Sequence, residues 1–121
     1  MVDSTAGPPS ILIVEDETLL AMMLEDVFTD IGWMVTAAAT VPQALGLIGD
    51  GRIDVALLDV NLAGHEVFPV ADALALRGIP FVFATGYGPT GIRPDLRANL
   101  IITKPYRVAE VLQQVRGVCQ L

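Results

Sequence analysis

Polar side chains directly follow four of the five apolar stretches in this 121-residue chain. They are Glu15 and Asp16 after the first stretch, Asp59 after the third, Thr85 after the fourth and Lys104 after the fifth. Three carboxylates gathered at one place repel one another, and a divalent cation with oxygen ligands, Mg²⁺, offsets that repulsion. An ammonium and a hydroxyl group beside them would bind a phosphoryl group. The residue types therefore predict Mg²⁺-assisted phosphoryl transfer to Asp59.

The apolar stretches are short and bounded by turn residues, which is typical of buried parallel strands. Helical patterns separate them: the first carries Leu20, Met23, Leu24, Val27 and Ile31 and ends at Gly32. Thr40 and Gln43 form a capping-box pattern ahead of the second helix, Arg77-Gly78 closes the third, and the last runs from Val108 to Cys119. The strands are predicted over residues 11–14, 33–37, 55–58, 80–84 and 100–102.

The repeated strand-helix order predicts an α/β fold, a flavodoxin-like doubly wound sheet of five parallel strands in the order 2-1-3-4-5. Helices cover both faces of such a sheet, and ligands bind beyond the carboxyl ends of its strands. The Gly- and Pro-rich segment from Gly86 to Pro94 leaves room for at most a short helix near residues 95–98. The fourth helix is therefore expected to be short or irregular.

Length and composition indicate one soluble domain. Residues 1–10 are small, polar and Pro/Gly-bearing, so we expect a disordered lead-in there and a folded domain over residues 11–121. The formal net charge of −7 works against direct binding of nucleic acid or of an anionic membrane. The single cysteine, Cys119, and the lack of a targeting pattern are compatible with a cytoplasmic location.

The acidic pair Glu15-Asp16, followed by Asp59, Thr85 and Lys104-Pro105 at successive strand ends, resembles the receiver domain of two-component response regulators. The resemblance implies that Asp59 accepts a phosphoryl group from a histidine kinase or a phosphotransfer protein. It also implies a Mg²⁺ ion held by Glu15, Asp16, Asp59 and the backbone carbonyl of Asn61, phosphoryl contacts from Thr85 and Lys104, and a cis peptide bond before Pro105.

The stretch from Pro80 to Tyr87 resembles the signature of a narrower group, the FAT GUY single-domain receivers. That resemblance implies a signalling protein rather than an enzyme. It would have no DNA-binding module and would relay its signal through contacts with a downstream protein. The chain itself is expected to be a monomer or a weak homodimer.

Two positions depart from the receiver pattern. Ile101 stands three residues before Lys104, where many receivers carry an aromatic switch residue, and Tyr106 is expected to pack against the last helix. The segment from Gly86 to Pro94 replaces a full helix, and we hypothesise that it is mobile and becomes ordered when Asp59 is phosphorylated. Unchanged amide exchange in that segment upon addition of a phosphoryl mimic would contradict this hypothesis.

Three other functions fit parts of the pattern. A receiver-like module that binds partners without phosphorylation keeps the fold. A Mg²⁺-dependent phosphatase of the haloacid-dehalogenase type would need a second aspartate at Asn61 and its acidic pair after the lysine. A flavodoxin-like cofactor binder would need a phosphate-binding loop where Glu15-Asp16-Glu17 stands. His65 has no second histidine to pair with, and it is interpreted as an exposed loop residue.

Overall fold

A computed structural model describes residues 7–97 and 99–119 of the chain. The first strand begins at Ser10, one residue earlier than expected, because Ser10 already pairs with Met34 of the neighbouring strand. The amide of Ser10 also donates to the Asp54 carboxylate at 2.7 Å. Disorder was expected for residues 1–10. Residues 1–6 lie outside the described part of the chain, so the structure does not test that expectation there. The elements are β1 Ser10–Val14, α1 Thr18–Asp30, β2 Met34–Ala38, α2 Val41–Asp50, β3 Val55–Asp59, β4 Asn61–Leu62, β5 His65–Glu66, α3 Phe68–Leu76, β6 Phe81–Thr85, β7 Leu100–Thr103 and α4 Val108–Val118.

Five of the strands form a parallel sheet in the order β2-β1-β3-β6-β7. With the hairpin β4–β5 set aside, this is the predicted order 2-1-3-4-5, and the flavodoxin-like fold is confirmed. Alternate strand residues face opposite sides, so Leu12 lies in the core beneath α2 and α3, while Ile13 lies in the core beneath α1 and α4. The three central strands, β1, β3 and β6, are buried on both faces, which explains their almost uninterrupted apolar sequences.

The helix ends follow the predicted caps. The backbone amide of Gln43 donates to Thr40 Oγ1 at 3.3 Å, and the side-chain oxygen of Gln43 accepts from the backbone amide of Ala39 at 2.9 Å. Gly32 and Gly78, which follow α1 and α3, have positive φ values of 88° and 69°. Local capping chemistry therefore sets where these helices begin and end.

The predicted apolar stripe of α1 is correct in part: Leu24 is buried and Leu20 packs against the core beneath α1 and α4, but two other predicted residues are exposed. Met23 is 52% exposed and Ile31 is 37% exposed, whereas Phe28 is fully buried and packs against Trp33 at 5.2 Å between ring centroids. Because α1 carries apolar residues around most of its circumference, periodicity does not choose among several stripes. The large aromatic side chain of Phe28 fills the core and determines which stripe is buried.

A two-residue turn that the sequence reading missed joins β4 to β5 immediately after Asp59. Ala63 and Gly64 both have positive φ, 51° and 89°, as the tight turns of β-hairpins require. The hairpin pairs Asn61 with Glu66 and carries His65, which is exposed as expected but lies in a short strand. Ala63 is not a glycine, so its positive φ costs conformational free energy close to Asp59.

The segment between β6 and β7 contains two 3₁₀ turns, Gly88–Gly91 and Pro94–Leu96, in place of a full helix. The expectation of a short or irregular fourth helix is confirmed, while Ala98, at the end of the expected range, lies outside the described residues. Arg93 fastens this segment to α3 by hydrogen bonds to Asp72 at 2.6 and 3.1 Å. The hypothesis that the segment orders upon phosphorylation stays a prediction.

Across residues 7–97 and 99–119, every helix is too short or too polar to cross a membrane.

Candidate functional site

The register of the parallel strands brings the polar strand ends together. Asp59 is the last residue of β3 and pairs with Ala84, one residue before Thr85 at the end of β6. Thr85 in turn pairs with Thr103, one residue before Lys104, and the backbone amide of Lys104 donates to the Thr85 carbonyl at 2.8 Å. Parallel strands end at one edge of the sheet, so the sequence positions become neighbours in space.

A cluster of three carboxylates occupies this edge. Glu15, Asp16 and Asp59 each offer one oxygen, and the three oxygens lie within 4.8 Å of one another. Glu15 and Asp59 are buried, whereas Asp16 is exposed at the mouth. Converging carboxylate oxygens are the donor set that Mg²⁺ prefers, so the residues fit the metal that the sequence predicted.

Lys104 lies between the two buried carboxylates. Its Nζ is 3.0 Å from Glu15 Oε1 and 3.3 Å from Asp59 Oδ1. Burial lowers the pKa of Lys104, but the hydrogen bonds and charges of Glu15 and Asp59 outweigh it and raise that pKa overall. The ammonium therefore stays charged and holds both carboxylates.

Asp59 is the carboxylate whose proton affinity the site changes most. Burial, and after it the charge of Glu15, outweigh the opposing effect of Lys104 and raise the pKa of Asp59 to about 7. Because ionising Asp59 in this setting costs free energy, any added positive charge stabilises its carboxylate form. Asp59 is thus the residue most responsive to a cation or to a change in Lys104.

Backbone amides hold the other two carboxylates in place. The amide of Glu17 donates to Glu15 Oε2 at 3.0 Å, and the amide of Ala63 donates to Asp16 Oδ2 at 2.9 Å. The contact from Ala63, at the tip of the hairpin, was missed in the sequence reading. The available signal was an Ala-Gly pair between Asn61-Leu62 and His65-Glu66, and it is a weak one.

Thr85 and the segment that follows it form one wall of a cleft of about 190 Å³ beside Asp59. The Thr85 side chain is buried, and its Oγ1 accepts a hydrogen bond from the amide of Tyr87 at 3.1 Å. A Cβ added to Gly91 would lie in ordinary van der Waals contact with Thr85 Oγ1, at 3.4 Å, so the segment packs against Thr85. Asn61 lines the same cleft, and its Oδ1 accepts from the amide of Gly64 at 2.8 Å.

The positions that departed from the receiver pattern are also located. Ile101 is partly buried and packs against the core beneath α2 and α3. Tyr106 packs against the core that contains Val111 and Val115 of α4, as predicted. The Lys104-Pro105 peptide bond is cis, which confirms that expectation.

Comparison with known proteins gives the same assignment. The model of the family described as response regulator receiver domain matches residues 11–116. The transcriptional regulatory protein DltR of Streptococcus agalactiae is 31% identical over 111 residues, which cover 88% of this chain and 50% of DltR. The chain thus spans about half the length of the curated relatives that it matches first.

Two smaller relatives match over nearly their whole length. The sporulation initiation phosphotransferase F of Bacillus subtilis is 27% identical, over 88% of this chain and 90% of that protein. The solution structure of SdrG from Sphingomonas melonis is 41% identical with a TM-score of 0.80, over 94% of this chain and 98% of that one. A strand-edge cluster of carboxylates, a hydroxyl and a lysine, together with these matches, shows that the chain belongs to the response-regulator receiver domain family.

Proposed function

We propose that this receiver takes a phosphoryl group on Asp59 and thereby carries a two-component signal. The observation that supports the proposal best is the position of the Lys104 ammonium, 3.0 Å from Glu15 and 3.3 Å from Asp59. The Lys104 ammonium, held between two buried carboxylates, provides positive charge for an incoming phosphoryl group beside Asp59, the proposed nucleophile.

Glu15, Asp16 and Asp59, with the backbone carbonyl of Asn61, would hold Mg²⁺ in the proposed state. Their carboxylate oxygens already converge within 4.8 Å, and hard oxygen donors suit this ion. When bound, the ion supplies positive charge that offsets both the carboxylates and the phosphoryl oxygens. The amide of Ala63, bonded to Asp16, keeps that carboxylate aimed at the mouth of the site.

The residues of the chain have distinct parts in the proposed transfer. An oxygen of Asp59 forms the new bond to phosphorus, while the bond from phosphorus to the donor histidine nitrogen breaks and the imidazole leaves with that electron pair. Lys104 turns its ammonium toward the phosphoryl oxygens, and the Thr85 hydroxyl donates to one of them. Most of the assistance is positioning and charge neutralisation, so no separate general base is required.

The phosphodonor would be a histidine kinase or a phosphotransfer protein, and the domain would meet it in the cytoplasm. The output would be a contact with a downstream protein made by the receiver itself, as its FAT GUY-like signature supports. The net charge of −7 disfavours direct contact with nucleic acid. Apart from promoting its own phosphorylation and dephosphorylation, the domain would not act as an enzyme.

Acetyl phosphate with Mg²⁺ tests the proposal without requiring the cognate kinase. Intact-mass analysis should show one added phosphoryl group on the native protein and none on Asp59→Asn. Glu66→Gln is the matched control, because it removes a carboxylate that lines the cleft without entering the carboxylate cluster, and it should still be modified.

Two results would replace the proposal with another function. Mg²⁺ binding without a phosphoryl adduct on the native protein would indicate a module that binds partners without phosphorylation. Continuous release of phosphate from p-nitrophenyl phosphate would indicate a phosphatase.

A further inference from the structure

A second recess, of about 570 Å³, shares the β4–β5 hairpin with the cleft beside Asp59. Its walls come from the hairpin and from the starts of α2 and α3, and we call it the hairpin groove. Most of the side chains that line it are apolar, namely Ala39, Val41, Pro42, Leu62, Ala63 and Pro69. The volume lies in the range of ligand-binding pockets, roughly 300–1,000 Å³. The groove is therefore large enough to take an apolar side chain of another molecule.

Glu66 lines both the hairpin groove and the cleft beside Asp59. It is exposed, and within residues 7–97 and 99–119 its carboxylate forms no ion pair. With histidine counted as neutral, Glu66 carries the one formal charge among the described residues that line the groove. An apolar recess with an unpaired carboxylate at its rim is complementary to an aliphatic side chain beside a cation.

The charge of the surrounding chain has the same sign as Glu66. Residues 1–76, which supply every wall of the groove, contain Arg52 as their one lysine or arginine. Arg52 already bonds Asp54 at 2.8 Å. Most of the acidic residues of the chain lie in the same part of the sequence. The resulting negative potential attracts a basic segment and repels an acidic one.

We propose that the hairpin groove is a docking surface for a downstream protein, which inserts an aliphatic side chain there and places a neighbouring lysine or arginine against Glu66. The inference rests on the proposed function, because the partner is the protein that responds to phosphorylation of Asp59. With Mg²⁺ bound before and after the transfer, the phosphoryl group adds negative charge to the cleft of which Glu66 forms a wall. A basic partner therefore binds more tightly to the phosphorylated protein.

Three blocked dipeptides separate the two parts of this recognition: acetyl-Leu-Arg-amide, acetyl-Leu-Gln-amide and acetyl-Gly-Arg-amide. Titration of the first into ¹⁵N-labelled protein should shift the backbone amide resonances of Ala39, Ala63 and His65. Loss of the arginine charge should weaken binding about threefold, as for an exposed ion pair. Loss of the leucine side chain should weaken it about tenfold.

Variants of the protein test whether Glu66 and the groove are the features that the peptides recognise. In Glu66→Gln, the arginyl and glutaminyl peptides should bind equally. Glu110→Gln is the matched control, because this exposed glutamate of α4 lies outside the groove, and it should keep the threefold preference. Ala39→Trp, which fills the groove, should weaken binding of acetyl-Leu-Arg-amide about tenfold. Unchanged amide resonances outside the groove show that each variant is folded.

Beryllofluoride with Mg²⁺ tests the link to phosphorylation, since this mimic of the phosphoryl group adds one negative charge at Asp59. Compared with Mg²⁺ alone, it should raise the affinity for acetyl-Leu-Arg-amide about twofold, which is the size of effect expected from one charge acting across solvent-exposed surface. The affinity for acetyl-Leu-Gln-amide should stay the same.

Three results would overturn the inference. Equal affinity of the native protein for the arginyl and glutaminyl peptides would show an apolar groove that does not select a basic partner. Resonance shifts confined to other faces would place the peptide elsewhere, and a preference that survives in Glu66→Gln would assign it to another carboxylate. Failure to bind beryllofluoride, with the preference for arginine intact, would instead contradict the proposed function and leave the groove as a binding surface.

Discussion

Within the described residues, two cations each lie between two carboxylates, one at the edge of the sheet and one on the surface. Lys104 contacts Glu15 and Asp59, whose side chains are 3% and 9% exposed. Arg93 contacts Asp72 and Asp95, whose side chains are 50% and 64% exposed. The arrangement of charges is the same, and the exposure to solvent is not.

Both cations act to lower the pKa of their carboxylates, yet the net pKa shifts in the two groups have opposite signs. Hydrogen bonds from Arg93 lower the pKa of both Asp72 and Asp95, so these carboxylates stay ionised. Burial and Glu15 instead raise the pKa of Asp59 to about 7 despite Lys104. On the solvent-exposed surface one cation is enough to keep two carboxylates ionised. In the buried group one cation does not offset the cost of burying two negative charges. The buried group is therefore the one that can use an additional cation.

Replacing the buried cation should have the largest effect on stability. In Lys104→Met, two mostly buried carboxylates lose their shared partner, and we expect the free energy of unfolding to fall by about 2–3 kcal/mol at pH 8. The loss should be smaller at pH 5, where Asp59 takes up a proton and one charge disappears. Urea unfolding at pH 5 and pH 8 measures this loss of stability. An equal loss at both pH values would contradict the explanation that it comes from the unpaired charges of the carboxylates.

Removing the Asp59 carboxylate should instead increase the free energy of unfolding at high pH. The folded-state pKa of Asp59 lies above its ordinary value, so between about pH 4 and pH 7 the folded protein holds a proton that the unfolded chain has lost. That contribution to stability is complete below this window and is lost as the pH rises through it. Asp59→Asn should therefore be more stable than the native protein at pH 8, by roughly 1–2 kcal/mol.

The pH profile supplies the check on that sign. The native protein should lose stability from pH 4 to pH 7 by more than Asp59→Asn does, in urea unfolding followed across the range. Parallel profiles for the two proteins would show that Asp59 ionises without cost in the folded state.

The affinity for Mg²⁺ should follow the ionisation of the same carboxylate. Because Asp59 must lose its proton to bind the ion, affinity should be about tenfold lower at pH 6 than on its plateau above pH 8. Titration calorimetry in buffers of different ionisation enthalpy should detect release of close to one proton per ion at pH 6 and almost none at pH 8. Constant affinity between pH 6 and pH 8 would contradict the raised pKa.

The smallest effect belongs to the exposed cation. Arg93→Met should lower the melting temperature by less than Lys104→Met does, and high salt should remove most of the difference from the native protein. A residual effect would come from the contact of Arg93 with the Phe68 ring, 5.8 Å from its centroid. A loss as large as that of Lys104→Met would show that exposure does not separate the two groups.

The parts of the fold that follow from strong local patterns were predicted from the sequence. The strand order and the meeting of Glu15, Asp59, Thr85 and Lys104 follow from apolar runs that each end in a polar residue. Parallel strands must end together, so these positions needed no tertiary information. The caps at Thr40 and after α1 follow from equally local chemistry.

Other features depend on packing that no local pattern reports. The buried stripe of α1 is decided by the fit of Phe28 against Trp33, since most faces of that helix are apolar. The hairpin after Asp59 has strands of only two residues, too short for a periodic signal. The hairpin groove can be recognised only once the surrounding side chains are in place.

Locating the acyl phosphate along the chain tests the central claim most directly. After treatment with acetyl phosphate and Mg²⁺, borohydride reduces an aspartyl phosphate to homoserine, and peptide mass spectrometry identifies the converted residue. We expect homoserine at position 59, and an unmodified Asp59 in a reaction without Mg²⁺. Conversion at another carboxylate, or at none while Mg²⁺ is bound, would contradict it.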